Sequence, residues 1–201
     1  MTTLKTRPSN SLRVIAGKWR SRKLTFPDGD GLRPTSDRVR ETLFNWLQER
    51  IAFANCLDLF AGSGACGIEA LSRGARFVSF VDISTTASAA IRQNLQLLGA
   101  SNCEVVCKDS LTWISSIKRD KDSLYDVVFL DPPFASDLLA RVVNLVEASQ
   151  SLAADACIYI ESAQEVSSNL LPDNWQMLKS KKAGKVYFYL YQRAEPLGKG
   201  T

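Results

Sequence analysis

The sequence predicts an α/β chain built on a mostly parallel, doubly wound sheet with helices on both faces. Three observations lead there. Strand-like and helix-like segments alternate from Cys56 onward, a glycine-rich turn follows the first of those strands, and the last two strands read as a hairpin around Ala183 and Gly184. Alternating βα units place consecutive strands side by side and in parallel, because each helix carries the chain back over the sheet.

The elements follow in order. Residues 1–11 read as a disordered tail. Leu12–Ile15 and Arg22–Phe26 read as two short strands joined by a turn near Gly17–Ser21. Pro27–Pro34, with Gly29 and Gly31, is loop. A helix then starts among Thr35, Ser36 and Asp37, each a good N-cap, with Val39, Leu43, Trp46 and Leu47 as its apolar face. On this reading Arg38, Arg40 and Glu41 fall largely on the polar side. The sheet strands are Cys56–Phe60, Arg76–Asp82, Glu104–Cys107, Tyr125–Asp131, Cys157–Glu161, Trp175–Ser180 and Val186–Gln192. The helices between them are Gly64–Ser72, Thr85–Leu98, a short one near Leu111–Ile117, and Ser136–Ala148.

Composition narrows the chemistry. The 201 residues include no His, which excludes a Ser-His-Asp triad, a His general base and any His-containing zinc site. The five cysteines lack CxxC spacing and suit free thiols in a reducing cytoplasm rather than a disulfide framework; no metal site is expected. The first residues lack the apolar core of a signal peptide, and no apolar run is long enough to span a bilayer. Charge is uneven. The first forty residues hold ten basic side chains against three acidic ones, whereas the remainder has fifteen against eighteen. A basic head on a mildly acidic body suggests contact with a polyanion, since neutralising phosphates releases counterions.

The turn Asp58-Leu59-Phe60-Ala61-Gly62-Ser63-Gly64-Ala65-Cys66-Gly67 carries GxGxxG between a strand and a helix. Glycine allows the tight turn and the close approach of a ligand to unpaired N–H groups at the helix start. Asp82 lies 20 residues after Gly62, at the next strand end, where a carboxylate accepts ribose hydroxyls. Asp58 decides between ligands. A carboxylate inside the first strand opposes a pyrophosphate and favours a ligand with a positive amino group, as S-adenosylmethionine has. Asp109, after the third strand, is placed either to accept from an adenine amine or to cap the next helix.

Asp131-Pro132-Pro133-Phe134 follows the fourth sheet strand. Two prolines stiffen the turn and remove two N–H donors, leaving Asp131 and the Pro132 carbonyl as fixed acceptors beside an aromatic ring. A planar nucleobase NH2 matches that set: the acceptors hold its protons and the ring stacks on its face.

Together these motifs stand in the order found in Rossmann-like, S-adenosylmethionine-dependent amino-methyltransferases. Leu32-Arg33-Pro34-Thr35-Ser36-Asp37-Arg38-Val39-Arg40-Glu41-Thr42-Leu43-Phe44-Asn45-Trp46-Leu47, with Arg13-Val14-Ile15-Ala16-Gly17-Lys18-Trp19-Arg20, resembles the RsmD family, the 16S rRNA (guanine(966)-N(2))-methyltransferases. The likeness runs from about Leu12 to Gln192. Asp82 departs from it, since the family often has Glu there, and Ser84 replaces an acid common two positions after it.

The resemblance implies a class I methyltransferase fold with a seven-stranded sheet and an N-terminal hairpin-and-helix extension. It implies a cytoplasmic bacterial enzyme, a monomer, that methylates a guanine N2 of 16S rRNA within the 30S subunit or an assembly intermediate. The expected organisation is tail 1–11, basic hairpin and helix 12–50, methyltransferase domain 51–193 and flexible tail 194–201. The expected catalytic residues are Asp131, Pro132, Pro133 and Phe134. The expected cofactor residues are Asp58, Phe60, Ala61, Gly62, Ser63, Gly64, Gly67, Asp82, Ile83, Asp109 and Ser110. RNA contact is expected from Arg13, Lys18, Arg20, Arg22, Lys23, Arg33, Arg38 and Arg40.

The residues alone do not choose guanine over adenine or cytosine. A DNA adenine-N6 methyltransferase would share the Asp-Pro-Pro-Phe chemistry but usually needs a larger recognition region. A nicotinamide-dependent oxidoreductase leaves Asp58 and the proline turn unexplained. A non-catalytic RNA-binding protein leaves intact motifs without a use.

Overall fold

The computed structural model describes residues 9–27, 35–133 and 136–194. The expected roles of Arg33 and Phe134 fall outside them, as do 1–8 of the first tail and 195–201 of the last. Seven strands form one sheet: β3 (Asn55–Asp58), β4 (Phe77–Asp82), β5 (Cys103–Cys107), β6 (Tyr125–Leu130), β7 (Leu152–Ser162), β8 (Trp175–Ala183) and β9 (Val186–Arg193). Their order is β5-β4-β3-β6-β7-β9-β8, and β9 alone runs against the others. The order reverses between β3 and β6, and ligands in such sheets bind in the crevice beyond the strand ends at that reversal. The expected seven-stranded, mostly parallel α/β fold is the one observed, and no helix among the described residues is long and apolar enough to cross a membrane.

Strand alternation sends side chains to two faces, and each face has its own core. Val127 and Phe129 of β6 and Cys157 and Tyr159 of β7 pack on one side, with α1 (Asp37–Trp46), α2 (Ala65–Ser72) and α3 (Thr85–Leu97). Val128, Leu130, Ile158 and Ile160 pack on the other, with α4 (Ser110–Ser116) and α5 (Ser136–Ala148). Glu147 of α5 fastens the last two strands, accepting from Arg193, Trp175 and Asn174 at 2.9–3.1 Å.

The N-terminal hairpin, β1 (Ser9–Arg13) and β2 (Lys23–Pro27), forms a separate two-stranded sheet. Its first strand begins at Ser9, inside the stretch the sequence assigns to a tail. Two strands alone are marginal in water, and this pair is held by tertiary contacts. Leu12, Val14, Leu24 and Phe26 join the first core. Glu69, fully buried in α2, accepts from the Ile15 and Ala16 amides at 2.8 and 3.0 Å. Ser72 accepts from Lys18 N through its carbonyl (2.8 Å) and from Trp19 N through its hydroxyl (3.0 Å), and donates to Ala16 O (2.6 Å). Gly17 is required at this junction. It has φ +80°, and a Cβ there would lie 1.9 Å from Ser72 O.

Ser36 caps α1 by accepting from Val39 N at 3.4 Å. The buried arc of α1 is wider than its apolar spacing predicts, because the helix is covered by the sheet on one side and by the hairpin on another. Arg40 lies in that arc, only 1% exposed. Its guanidinium donates to Thr35 O, Arg13 O and Asp37 Oδ1 and lies 3.8 Å from Glu69.

Candidate active site

Three carboxylates end up in a row on one face of the sheet. Asp58 closes β3 and is registered with Phe129 of β6, which is registered with Tyr159 of β7. Asp131 and Glu161 each lie two residues further along those strands, so the three belong to the α1–α2 side at the C-terminal ends of adjacent parallel strands. Burial and mutual repulsion both act on them. Burial pushes the Asp58 carboxyl up to about 7, against a hydrogen bond from Gly67 N and with a further push from Asp82. Asp131 is driven well above the usual carboxylate range, by burial first and then by Glu161 and Asp58. Glu161 is raised by burial and held back by two donors, the Tyr159 hydroxyl at 2.9 Å and the Thr35 hydroxyl at 3.0 Å.

The glycine turn is built as its spacing predicts. Gly62 and Gly64 both take positive φ, 52° and 76°, which side-chain-bearing residues rarely adopt. Gly67 brings α2 against β4: a Cβ there would meet the Phe80 ring at 2.2 Å. Gly67 N donates to Asp58 Oδ2 at 2.9 Å, tying the helix start to the first strand. Ala61 and Ser63 are buried within the turn and Phe60 is half-buried beside it.

Asp82 reaches back to the same turn. Its Oδ2 accepts from Gly62 N at 2.7 Å and its Oδ1 from Ser84 N at 2.8 Å. One acid thus shapes the glycine loop and keeps a second lone pair on each oxygen for ligand hydroxyls. Ile83, next to it, is 68% exposed and offers a bare apolar surface at the crevice rim. Asp109 caps α4, its Oδ1 accepting from the Thr112 amide and hydroxyl at 2.8 and 2.7 Å, so Oδ2 is the atom with capacity to accept elsewhere. The Ser110 hydroxyl is committed to Leu59 O at 2.6 Å, which leaves this residue its main chain to offer a ligand.

The crevice fits a cationic, ribose-bearing ligand. Asp58, Asp82, Asp131 and Glu161 converge there, and among the described residues none of the four makes an ion pair with a Lys or Arg side chain. A pyrophosphate on the glycine turn would find Asp58 already holding Gly67 N, and charge on that carboxylate would repel it.

Asp131 is half-buried, Pro132 buried and Pro133 exposed, so the turn sits at the edge of the crevice. Sequence reasoning missed Glu161. The signal was available: the residue ends a strand that points into the crevice, which is where a functional acid sits in this architecture.

Of the residues expected on RNA, Arg13, Lys18, Arg20, Arg22, Lys23 and Arg38 are exposed. Lys18 lies 4.1 Å from the centre of the Trp19 ring, and Arg22 reaches Leu97 O at 3.5 Å. Arg40 must be removed from that set. Its charge is buried and committed to Asp37 and the Thr35 and Arg13 carbonyls, so it joins α1 to the hairpin and presents nothing to a phosphate.

Comparison with known proteins agrees with this geometry. Residues 12–192 match the family model described as conserved hypothetical protein 95. The chain is 45% identical to ribosomal RNA small subunit methyltransferase D of Escherichia coli (strain K12), over 92% of this chain and 91% of that one. The solved structure of the Escherichia coli protein yhhF is 43% identical, with a TM-score of 0.84, covering 93% of this chain and all of that one. The structure of SMU.776 complexed with SAH shares the fold at a TM-score of 0.70 and 14% identity, over 96% of this chain and 58% of that one. The chain belongs to the conserved hypothetical protein 95 family, the family of the ribosomal RNA small subunit methyltransferases D.

Proposed function

We propose that this chain transfers a methyl group from S-adenosylmethionine to the exocyclic N2 of a guanine in 16S rRNA, acting as a monomer on the 30S subunit or an assembly intermediate. The observation that carries the reading is the adjacency of Asp58 and the Asp131 turn on neighbouring parallel strands. A cation held at the first lies beside a nucleobase amine held at the second. Bound in the crevice, S-adenosylmethionine supplies a methyl carbon on a sulfonium, whose C–S bond breaks toward sulfur as the amine nitrogen forms its new bond.

The chain's own groups do the rest. Asp58 faces the positive end of the cofactor, and ionises in full only above neutrality unless a cation is there to favour its charged form. Asp82 accepts the ribose hydroxyls. Asp131 Oδ and the Pro132 carbonyl accept the two amine protons and turn the nitrogen lone pair toward the methyl carbon. Nitrogen turns cationic as it reacts, and the same two acceptors stabilise that charge until a proton leaves to water. The exposed hairpin cations hold the RNA backbone.

Incubating the protein with labelled S-adenosylmethionine and 30S particles from cells lacking the activity, then mapping the label, tests the whole reading. Label on one 16S guanine N2 is the expected result. Label on DNA adenine, or none on RNA, overturns it.

Two mutational results are expected. Asp82→Ala raises the dissociation constant for S-adenosylmethionine about ten- to hundredfold, as befits a hydrogen bond to a charged acceptor worth roughly 1.5–3 kcal/mol. Calorimetry giving wild-type affinity in a folded variant would remove Asp82 from the cofactor site. Replacing Arg20, Arg22 and Lys23 together with Ala weakens particle binding and flattens its dependence on salt, with cofactor affinity unchanged. A salt series that keeps the full slope moves the RNA footprint away from the hairpin.

A further inference from the structure

The basic head is not the only concentration of positive charge. Lys179, Lys181 and Lys182 lie on β8, and Lys185 lies in the turn to β9. All four are exposed, and among the described residues none is ion-paired with a carboxylate. Lys182 donates to the Tyr187 hydroxyl at 2.6 Å and sits over that ring.

Register fixes where these lysines are. Lys181 pairs with Phe188, and Phe188 pairs with Glu161. Lys181 is therefore two strand spacings from Glu161, about 10 Å across the sheet, at the strand ends where the Asp131 turn begins. Directly paired residues point to the same face. Phe188 stacks on Trp46 of α1 at 5.3 Å, so Lys181 emerges on the α1 side. Lys179 pairs with Leu190, which packs in the same core, and shares that side. Arg38, in the first turn of α1, belongs to that side as well, and so do Lys18 and Arg22 of the hairpin, at the far ends of α2 and α3 beside Ser72 and Leu97.

β8 is an edge strand, and edge strands commonly carry lysine to block pairing with other chains. That account leaves the distribution unexplained. The half of β8 remote from the crevice holds Gln176, Met177 and Leu178, with Met177 57% and Leu178 44% exposed. Protection of the edge would place charge there. The lysines instead crowd into the half of the strand beside the carboxylate row.

We propose that Lys179, Lys181 and Lys185 bind a second stretch of RNA phosphates, on the β8–β9 edge beside the Asp131 turn and separate from the stretch held by the hairpin. The inference rests on the function proposed above. A lipid surface would also attract lysines, but these lie within a few strand spacings of a site built for a nucleobase amine, and RNA backbone must pass there.

The test uses the full chain with Lys179→Gln, Lys181→Gln and Lys185→Gln combined, leaving Lys182 beside Tyr187. Binding to undermethylated 30S particles is measured across a salt series, alongside cofactor affinity and binding to vesicles of anionic lipid. The expected result is a salt slope lower by about two to three, roughly one for each phosphate that the variant no longer neutralises. Particle affinity should fall at least tenfold near physiological salt, and cofactor affinity should be that of wild type. An unchanged salt slope overturns the proposal, as does a defect confined to vesicle binding. Both are binding results. They stay separate from the failure of the parent reading, which would appear as no label on RNA from the wild-type protein.

Discussion

Asp131→Ala lowers the rate of methyl transfer by about 10²–10³-fold and leaves cofactor affinity nearly unchanged. The carboxylate is assigned to the target amine, and its attraction grows as that nitrogen becomes cationic. Contacts that strengthen only in the transition state appear in turnover rather than in binding. The surroundings sharpen the expectation. Burial and Glu161 both oppose charge on Asp131, so it keeps its proton more readily than an exposed aspartate. A developing positive charge reverses that preference. Asp131→Asn keeps one acceptor oxygen and retains more activity than Asp131→Ala. Single-turnover assays on undermethylated particles decide it: equal, near-wild-type rates for both variants would reduce the turn to a structural feature.

Glu69→Ala destabilises the protein by about 3–5 kcal/mol, the usual cost of breaking a buried charged network from one side. Glu69 is fully buried and accepts from Ile15 N, Ala16 N and Arg73 Nε, with Arg40 3.8 Å away. Truncation strands two backbone donors and removes one of two carboxylates beside a guanidinium that is itself 1% exposed. Glu69→Gln keeps an acceptor of the same shape and costs less. Denaturant unfolding reads both, and a midpoint unmoved by Glu69→Ala would mean that the hairpin is held by its apolar contacts alone.

The sequence was most informative where chemistry is local. Strand and helix positions followed from periodicity, and the glycine turn from residues whose backbone conformation is special. The bounds of α5 and the start of β6 match their expected residues. Asp58, Asp82 and Asp109 are each found at the strand end their spacing implied. What stayed hidden depends on partners far along the chain. Arg40 sits four residues from Ser36 on a helix whose pattern looked polar there, and only the hairpin's return across α1 buries it. Glu161 acquires its meaning from Thr35, 126 residues earlier. The lysines of β8 were lost in a net acidic count for the body of the chain, because a sum over residues does not record which strand lies at an edge.

The Gly17–Ser72 and Ile15–Glu69 junctions have a consequence for transplanting the basic arm. A segment that recognises nucleic acid can be moved between proteins when it folds by itself and hangs on a linker. This one does neither. Its main-chain donors find their acceptors on the helix that leaves the glycine turn, and its apolar side chains complete the core beneath. Cutting near residue 50 would yield two damaged pieces: a ribbon with nothing to fold upon, and a catalytic body exposing a carboxylate pocket and bare hydrocarbon. Grafting the arm onto another methyltransferase would require moving Glu69, Ser72 and the clearance at Gly17 with it.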